Sequence, residues 1–149
     1  MDQSMADKVC LITGSTRGIG RAIAQALALR GATSDILAVA TFDRMLREKP
    51  DLLRVEVPQR GHTPMLDEPV SVVAGEIVAA DLQQATGNHK VSALQGDLAS
   101  QSSIRQLAAE FRRRHDRLHF LVNCAGVFKG QRELSPDGIE LMFATNHLG

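Results

Sequence analysis

The segment Thr13-Gly14-Ser15-Thr16-Arg17-Gly18-Ile19-Gly20 (TGSTRGIG) decides how the rest of the chain is interpreted. It follows the short apolar run Lys8–Thr13, which predicts a buried strand, and it opens a stretch with helical spacing. Glycines at such a junction let the backbone turn sharply and approach a ligand closely. The helix N-terminus beyond them offers unpaired N–H groups and a partial positive charge, which suit a pyrophosphate. A tight turn that binds no ligand is the alternative interpretation.

Outward from this segment, apolar runs alternate with amphipathic stretches, as in a parallel α/β sheet. The helix after the glycines is predicted to bury Ile19, Ala22, Ile23, Ala26 and Leu27, which recur at helical spacing. The predicted strands are Lys8–Thr13, Leu52–Val57, Lys90–Gln95 and Leu118–Asn123. Further helices are predicted over Val39–Lys49, over Asp67–Thr86, around Ile104 to Arg114, and from the cap Ser135-Pro136-Asp137 onward. The pattern predicts one Rossmann-like, doubly wound domain (residues 1–149) with strand order 3-2-1-4.

Composition narrows the possible functions. The 149 residues suffice for one domain, and 17 basic residues balance 17 acidic ones, so neither nucleic acid nor a membrane surface is an expected partner. No apolar run approaches the ~18 residues of a membrane span. Cys10 and Cys124 are too few for a disulfide framework or a zinc cluster, so no metal is expected and a reducing cytoplasm is the favoured location. The sequence contains no tyrosine and no tryptophan.

Four motifs together resemble the short-chain dehydrogenase/reductase family, in particular its retinol-dehydrogenase-like branch. The first is the spacing T-G-x-x-x-G-x-G, which differs from the common dinucleotide fingerprint G-x-G-x-x-G. Gly96-Asp97-Leu98 follows the third predicted strand, Asn123-Cys124-Ala125-Gly126 follows the fourth, and Thr145–Gly149 (TNHLG) resembles the family's N-x-x-G segment. The resemblance covers roughly residues 7–31 and 75–149.

The resemblance implies hydride transfer between NAD(P) and an alcohol or carbonyl. Asn146 corresponds to the asparagine of the family's catalytic tetrad, but the tyrosine of the Y-x-x-x-K motif, whose pKa the lysine lowers, has no counterpart here. The resemblance therefore implies that the cofactor-binding residues are present and that the set of catalytic residues is incomplete. The residues that would bind the cofactor are Thr13, Gly14, Ser15, Thr16, Arg17, Gly18, Ile19, Gly20, Asp97, Leu98, Asn123, Ala125 and Gly126.

Residues 32–74 do not follow this pattern and resemble the C-terminal part of α/β-hydrolases. By that resemblance Asp35 would be the catalytic acid and His62 the catalytic histidine. The alternatives are a turn or helix-start aspartate at Asp35 and an ordinary loop histidine at His62. No G-x-S-x-G nucleophile turn accompanies them, so acyl transfer is not expected. Two resemblances in one chain favour a chimera.

In the chimeric interpretation the hydrolase-like strand Leu52–Val57 takes the second position in the sheet. Val55 and Val57 should then pair beside Leu11 and Thr13. Arg60 would lie just past that strand, near the adenosine ribose, and with Arg17 it would favour NADP over NAD.

Three hypotheses follow from the sequence. The chain is a nucleotide-binding part of a short-chain dehydrogenase with little or no turnover, an inactive α/β chimera, or a hydrolase remnant. In each case the sheet ends at its fourth strand, and the exposed edge favours a homo-oligomer.

Overall fold

The computed structural model describes residues 4–39 and 70–149. Its centre is a four-stranded parallel sheet in the order β3-β2-β1-β4. The strands are β1 (Val9–Thr13), β2 (Thr33–Val39), β3 (Val91–Gly96) and β4 (Phe120–Asn123). The helices are α1 (Gly18–Leu29), α2 (Val70–Thr86), α3 (Gln101–Arg114) and a short terminal α4 (Leu141–Phe143), which continues as one π-helical turn over Ala144–Leu148. The predicted Rossmann-like fold and its strand order are confirmed.

Two apolar clusters lie on opposite faces of the sheet, as a doubly wound fold requires. On one face Ile12 and Ile36 pack with Ala24 and Ala28 of α1 and with Leu82 of α2. On the other face α3 contributes Leu107 and Phe111 to a cluster with Leu11, Leu37 and Leu94. Successive strand residues therefore serve alternate faces, because side chains along a strand alternate.

Helix α1 buries a different stripe from the one predicted. Its buried residues are Gly20, Ala24 and Ala28, spaced four apart, whereas Ile19 is 76% exposed and Ala22 is exposed. Small side chains let the helix axis lie close to the sheet, and the larger residues are displaced to the flanks and the outside. The apolar spacing predicted the helix correctly, and Leu27 packs against the cluster, but Ile19 and Ala22 lie on the exposed side.

The second strand is Thr33–Val39, and the prediction that Leu52–Val57 fills this position was wrong. Leu11 pairs with Asp35 and Thr13 pairs with Leu37 on one side of β1, while β4 occupies the other side. The strand begins two residues after Gly31, whose φ of 85° ends the turn from α1. Residues 52–57, and all but the first residue of the helix predicted over Val39–Lys49, lie outside the described residues.

The final helix also starts later than predicted. Ser135 does not cap a helix at Pro136; its hydroxyl accepts hydrogen bonds from the N–H groups of Asp137 and Ile139 within a turn. The carboxylate of Glu140 is the cap, because it accepts from the N–H groups of Met142 and Phe143. These bonds lower the pKa of Glu140.

Strand β4 is the exposed edge of the sheet. Phe120 is 44% exposed and Leu121 54% exposed, although both belong to a strand that pairs fully with β1. Within residues 4–39 and 70–149, no helix has the length and apolar character needed to cross a membrane.

Candidate functional site

The glycine loop is packed too tightly for side chains at two of its three glycines. A Cβ at Gly14, whose φ is 63°, would lie 2.6 Å from the backbone nitrogen of Ala125. A Cβ at Gly20 would lie 2.4 Å from the carbonyl oxygen of Gly14. Both distances are well inside van der Waals contact with backbone atoms, so the loop requires glycine at each position.

Gly18 differs from these two glycines. Its φ is 58°, which disfavours other residues, yet a Cβ there would meet nothing within 4 Å. Protein atoms therefore fill the space beside Gly14 and Gly20, whereas the space beside Gly18 is open. This is the shape expected of a backbone that turns around a ligand rather than around protein.

Thr13 joins the glycine loop to the segment after β4. Its hydroxyl accepts hydrogen bonds of 3.1 Å from the N–H groups of both Cys124 and Ala125. Ser15 is fully buried, and its hydroxyl donates to the carbonyl of Ile12 at 3.3 Å. Thr13 and Ser15 therefore support the loop from inside, and the predicted Asn123-Cys124-Ala125-Gly126 motif does lie beside it.

The residue at the N-cap of α1 supplies no side-chain cap. Arg17 occupies the N-cap position with an extended backbone, and its side chain makes no capping hydrogen bond. The first-turn N–H groups thus keep the partial positive charge of a helix N-terminus. Together with the outward opening at Gly18, the arrangement fits a pyrophosphate.

Asp97 and Leu98 lie at the carboxyl end of β3, on the same edge of the sheet as the glycine loop. Asp97 Oδ1 accepts from the N–H of Ala99 at 2.9 Å, and its own N–H donates to Ser103 Oγ at 2.8 Å. Leu98 is buried. The local bonds fix the turn into α3, while the prediction that Asp97 and Leu98 bind the cofactor stays a prediction.

Asn146 braces the chain after the Asn123–Gly126 motif. Its Oδ1 accepts from the N–H of Val127 and its Nδ2 donates to the carbonyl of the same residue, each at 2.8 Å. The side-chain amide of Asn146 thus makes the same two hydrogen bonds to the backbone of Val127 that a neighbouring strand would make. A Cβ on Gly126 would lie 3.7 Å from Asn146 Oδ1, so the motif and the candidate catalytic asparagine are neighbours.

A buried polar cluster at Asp35 was missed. The carboxylate is fully buried in β2; it accepts a hydrogen bond from Ser92 of β3 and lies 2.8 Å from Nε2 of His115. Arg114 Nη1 is 4.0 Å away. Asp35 lies in a strand rather than in a turn, where it ties the end of α3 to the sheet, and nothing supports its predicted role as a hydrolase acid. His115 gave no local signal, because its partner is 80 positions away.

Two predicted residues lie outside the described part of the chain, namely Arg60 and His62. Arg60 was predicted to lie just past the second strand, but that strand ends at Val39 rather than at Val57. Among the described residues, no group of His, Cys, Asp and Glu is arranged to hold a metal ion. Both cysteines are free thiols, and burial raises the pKa of Cys10.

The class of protein follows from these features: a parallel α/β sheet with a dinucleotide-type glycine loop where its first strand meets its first helix. The family model for short chain dehydrogenases matches residues 66–149, which is more than half of the chain. The chain belongs to the short chain dehydrogenase family, a family of oxidoreductases.

Retinol dehydrogenase 11 of Mus musculus is 33% identical over 142 residues, which is 95% of this chain and 35% of that protein. The chain thus spans about a third of the length of the curated relatives it matches. The similarities to short chain dehydrogenases and to retinol dehydrogenases give no support to a hydrolase-like segment or to a chimera.

Two solved structures share the fold. One is a Pseudomonas aeruginosa RhlG/NADP active-site complex, at 28% identity and a TM-score of 0.54, covering 82% of this chain and 36% of that one. The other is a short-chain dehydrogenase from Sphingobium yanoikuyae in complex with NADPH, at 26% identity and a TM-score of 0.60, covering 95% and 43%.

Proposed function

We propose that this chain binds a nicotinamide dinucleotide at the glycine loop, as the nucleotide-binding part of a short chain dehydrogenase. The observation that carries the proposal is the contrast among the three glycines. Gly14 and Gly20 are closed against the Asn123–Gly126 side of the protein, while Gly18 opens outward beside the uncapped start of α1. Such a cradle suits a pyrophosphate, whose charge the helix N-terminus favours.

The cofactor we favour is NADP rather than NAD. Arg17 is exposed at the N-cap of α1, where a guanidinium can pair with a 2′-phosphate. Support comes from the two solved relatives described as complexes with NADP and NADPH. Arg60 no longer contributes to this preference, since the strand that would have placed it near the ribose is not β2.

Catalysis by the 149-residue chain alone is not part of the proposal. When bound, the nicotinamide would give or accept a hydride. Transfer to a carbonyl also needs a proton donor, and the sequence holds no tyrosine to supply one. Both ends of the Asn146 amide are hydrogen-bonded to Val127, so Asn146 positions the backbone and does not supply the proton.

The alternative is an α/β domain that binds no nucleotide, and a calorimetric titration separates the two. We expect NADPH to bind, NADH to bind less tightly, and Arg17→Gln to weaken NADPH at least about tenfold, or roughly 1.4 kcal/mol. Arg113→Gln removes the same charge from the exposed end of α3 and should leave affinity unchanged. Heat of binding that is absent for both nucleotides would refute the proposal, and equal affinities would refute the NADP preference.

We also propose a reducing compartment such as the cytoplasm, because Cys10 and Cys124 are both free thiols. A fluorescent fusion observed in cells tests this, and a signal confined to an oxidising compartment would contradict it.

A further inference from the structure

The turn at residues 135–139 is joined to the start of helix α3 by the side chain of Asp137. Asp137 Oδ2 accepts a hydrogen bond of 2.7 Å from the backbone N–H of Gln101, the first residue of α3. This N–H is one of the four at a helix N-terminus that have no partner within the helix, and a negative charge is favourable there. Asp137 therefore completes a helix that begins 36 positions earlier in the sequence.

The start of α3 is itself fixed to the turn that follows β3. The N–H of Ser100 donates to the carbonyl of Asp97 at 3.1 Å, and the N–H of Asp97 donates to Ser103 Oγ at 2.8 Å. These bonds join the turn to the first turn of the helix, so a group held at Gln101 is also held relative to Asp97 and Leu98. Asp97 and Leu98 are the residues predicted to bind the cofactor at this edge of the sheet.

The far end of the segment that contains Asp137 reaches the same turn. A Cβ on Gly149 would lie 2.8 Å from both the Cβ and the carbonyl oxygen of Leu98, so no side chain fits there. Between the two contacts the segment carries Asn146, whose amide makes two hydrogen bonds of 2.8 Å to the backbone of Val127. The segment thus connects the turn after β3 with the chain that follows β4.

We propose that Asp137 is a positioning residue for the nucleotide site, an inference that rests on the proposed function. Its bond to Gln101 fixes residues 135–149, and with them Asn146, relative to the turn after β3. Asn146 in turn holds Val127 next to the motif that packs against the glycine loop. The proposed dinucleotide would contact both that turn and that motif, and a site whose parts are fixed beforehand binds more tightly.

Two variants break the same hydrogen bond from opposite sides. Asp137→Ala removes the acceptor, and Gln101→Pro removes the N–H donor. Proline suits the first position of a helix, and the preceding Ser100 has a φ of −117° and a ψ of 119°, which suit a residue before proline. We expect each variant to weaken NADPH at least about tenfold in calorimetry. The double variant should bind no more weakly than either single variant, because both remove one bond.

Hydrogen exchange at the Val127 amide measures the same effect without a nucleotide. That N–H donates to Asn146 Oδ1, so its exchange should accelerate at least about tenfold in Asp137→Ala and in Gln101→Pro. Exchange at Ile12, a fully buried residue of β1, should stay as it is in the unchanged chain.

Three control variants separate positioning from a general loss of stability. Gln101→Ala keeps the backbone N–H and should change neither measurement. Ser100→Ala removes the hydroxyl that accepts from the N–H of Ser103, so it should weaken α3 without loosening Asn146. Asp137→Asn keeps a side-chain oxygen for Gln101 and should bind NADPH within about threefold of the unchanged chain.

Several results would overturn the proposal. Val127 could exchange at the same rate with and without the Asp137 bond, or it could exchange faster while NADPH affinity stays the same. Ser100→Ala could reproduce both effects, so that helix stability alone would explain them. The losses in the double variant could add, or Asp137→Asn could behave like Asp137→Ala.

Failure of the proposed function would be seen separately. If the unchanged chain gave no heat of binding with NADPH, nucleotide binding would be refuted. The exchange rate of Val127 would still decide whether Asp137 holds Asn146 in place.

Discussion

Two parts of the molecule bury the same kinds of residue to different extents. The first, the β1–β3 body, comprises β1, β2 and β3 with α1, α2 and α3, and its Ile12 and Ile36 are fully buried. The second, the β4 side, comprises β4 and the chain from Cys124 to Gly149, and its Phe120 and Leu121 are about half exposed. An apolar strand sequence therefore indicates what a strand can bury. The neighbouring elements decide what it does bury.

The largest expected effect tests this difference directly. Ile12→Ala in the β1–β3 body should lower the free energy of unfolding by about 2–5 kcal/mol, because it leaves a cavity in a closed core. Leu121→Ala on the β4 side is the matched change and should cost less than about 1 kcal/mol. Urea unfolding followed by circular dichroism measures both. Equal losses would show that β4 is covered in solution.

A second prediction concerns the polar tie inside the body. Asp35→Asn keeps an acceptor for Ser92 but removes the negative charge beside His115 and Arg114. We expect a loss of about 2 kcal/mol in urea unfolding, since the group is fully buried. His115→Gln, which retains a donor, should cost less. If Asp35→Asn left the free energy of unfolding unchanged, the charge of Asp35 would contribute nothing to stability.

The third prediction concerns Gly20, which lies where the body meets the β4 side. Alanine is normally favoured over glycine in a helix by about 1 kcal/mol. At Gly20 the sign should reverse, because the new Cβ would lie 2.4 Å from the carbonyl of Gly14. Gly20→Ala should thus destabilise the protein and abolish NADPH binding in calorimetry. Gly130→Ala, where a Cβ meets nothing within 4 Å, is the control and should change neither.

The smallest expected effect is a pH dependence of stability, which differs between Glu110 in the β1–β3 body and Glu140 on the β4 side. Hydrogen bonds from Arg113 and Arg114 lower the pKa of Glu110 to about 2, from 4.5. A lowered pKa means that the stabilising contribution is present above pH 4.5 and is lost as the pH falls toward 2. Glu110→Gln should remove this part of the acid sensitivity in thermal melts.

Salt distinguishes Glu110 from Glu140. The Glu110 carboxylate faces exposed arginines, which salt screens, whereas backbone N–H groups lower the pKa of Glu140. In high salt the effect of Glu110→Gln should shrink more than that of Glu140→Gln. The opposite order would contradict these assigned causes.

Local patterns in the sequence were sufficient for most of the sheet. The runs around β1, β3 and β4 are apolar, each is followed by a motif, and the order 3-2-1-4 follows from how such units connect. They failed at β2, where Thr33, Ser34 and Asp35 look like a turn. The partners that make Asp35 acceptable in a strand, Ser92 and His115, lie 57 and 80 positions away. A window of neighbouring residues cannot contain that information.

At the site, the sequence predicted which segments converge but not how they are held. The glycine loop and the Asn123–Gly126 motif are adjacent, as the resemblance implied. The bonds from Cys124 and Ala125 to Thr13, and those between Asn146 and Val127, depend on atoms brought together only by the fold. The terminal helix was misplaced because Ser135-Pro136 satisfies the usual cap rule in a turn.

The contact between Gly14 and Ala125 has a mechanical consequence. Since there is no room for even a Cβ between them, Ala125, two residues beyond β4, cannot move toward the glycine loop without displacing it. At the nucleotide site proposed above, a molecule that repositions this segment would then change nucleotide affinity, and thermodynamic reciprocity would require the nucleotide to change that molecule's affinity by the same factor.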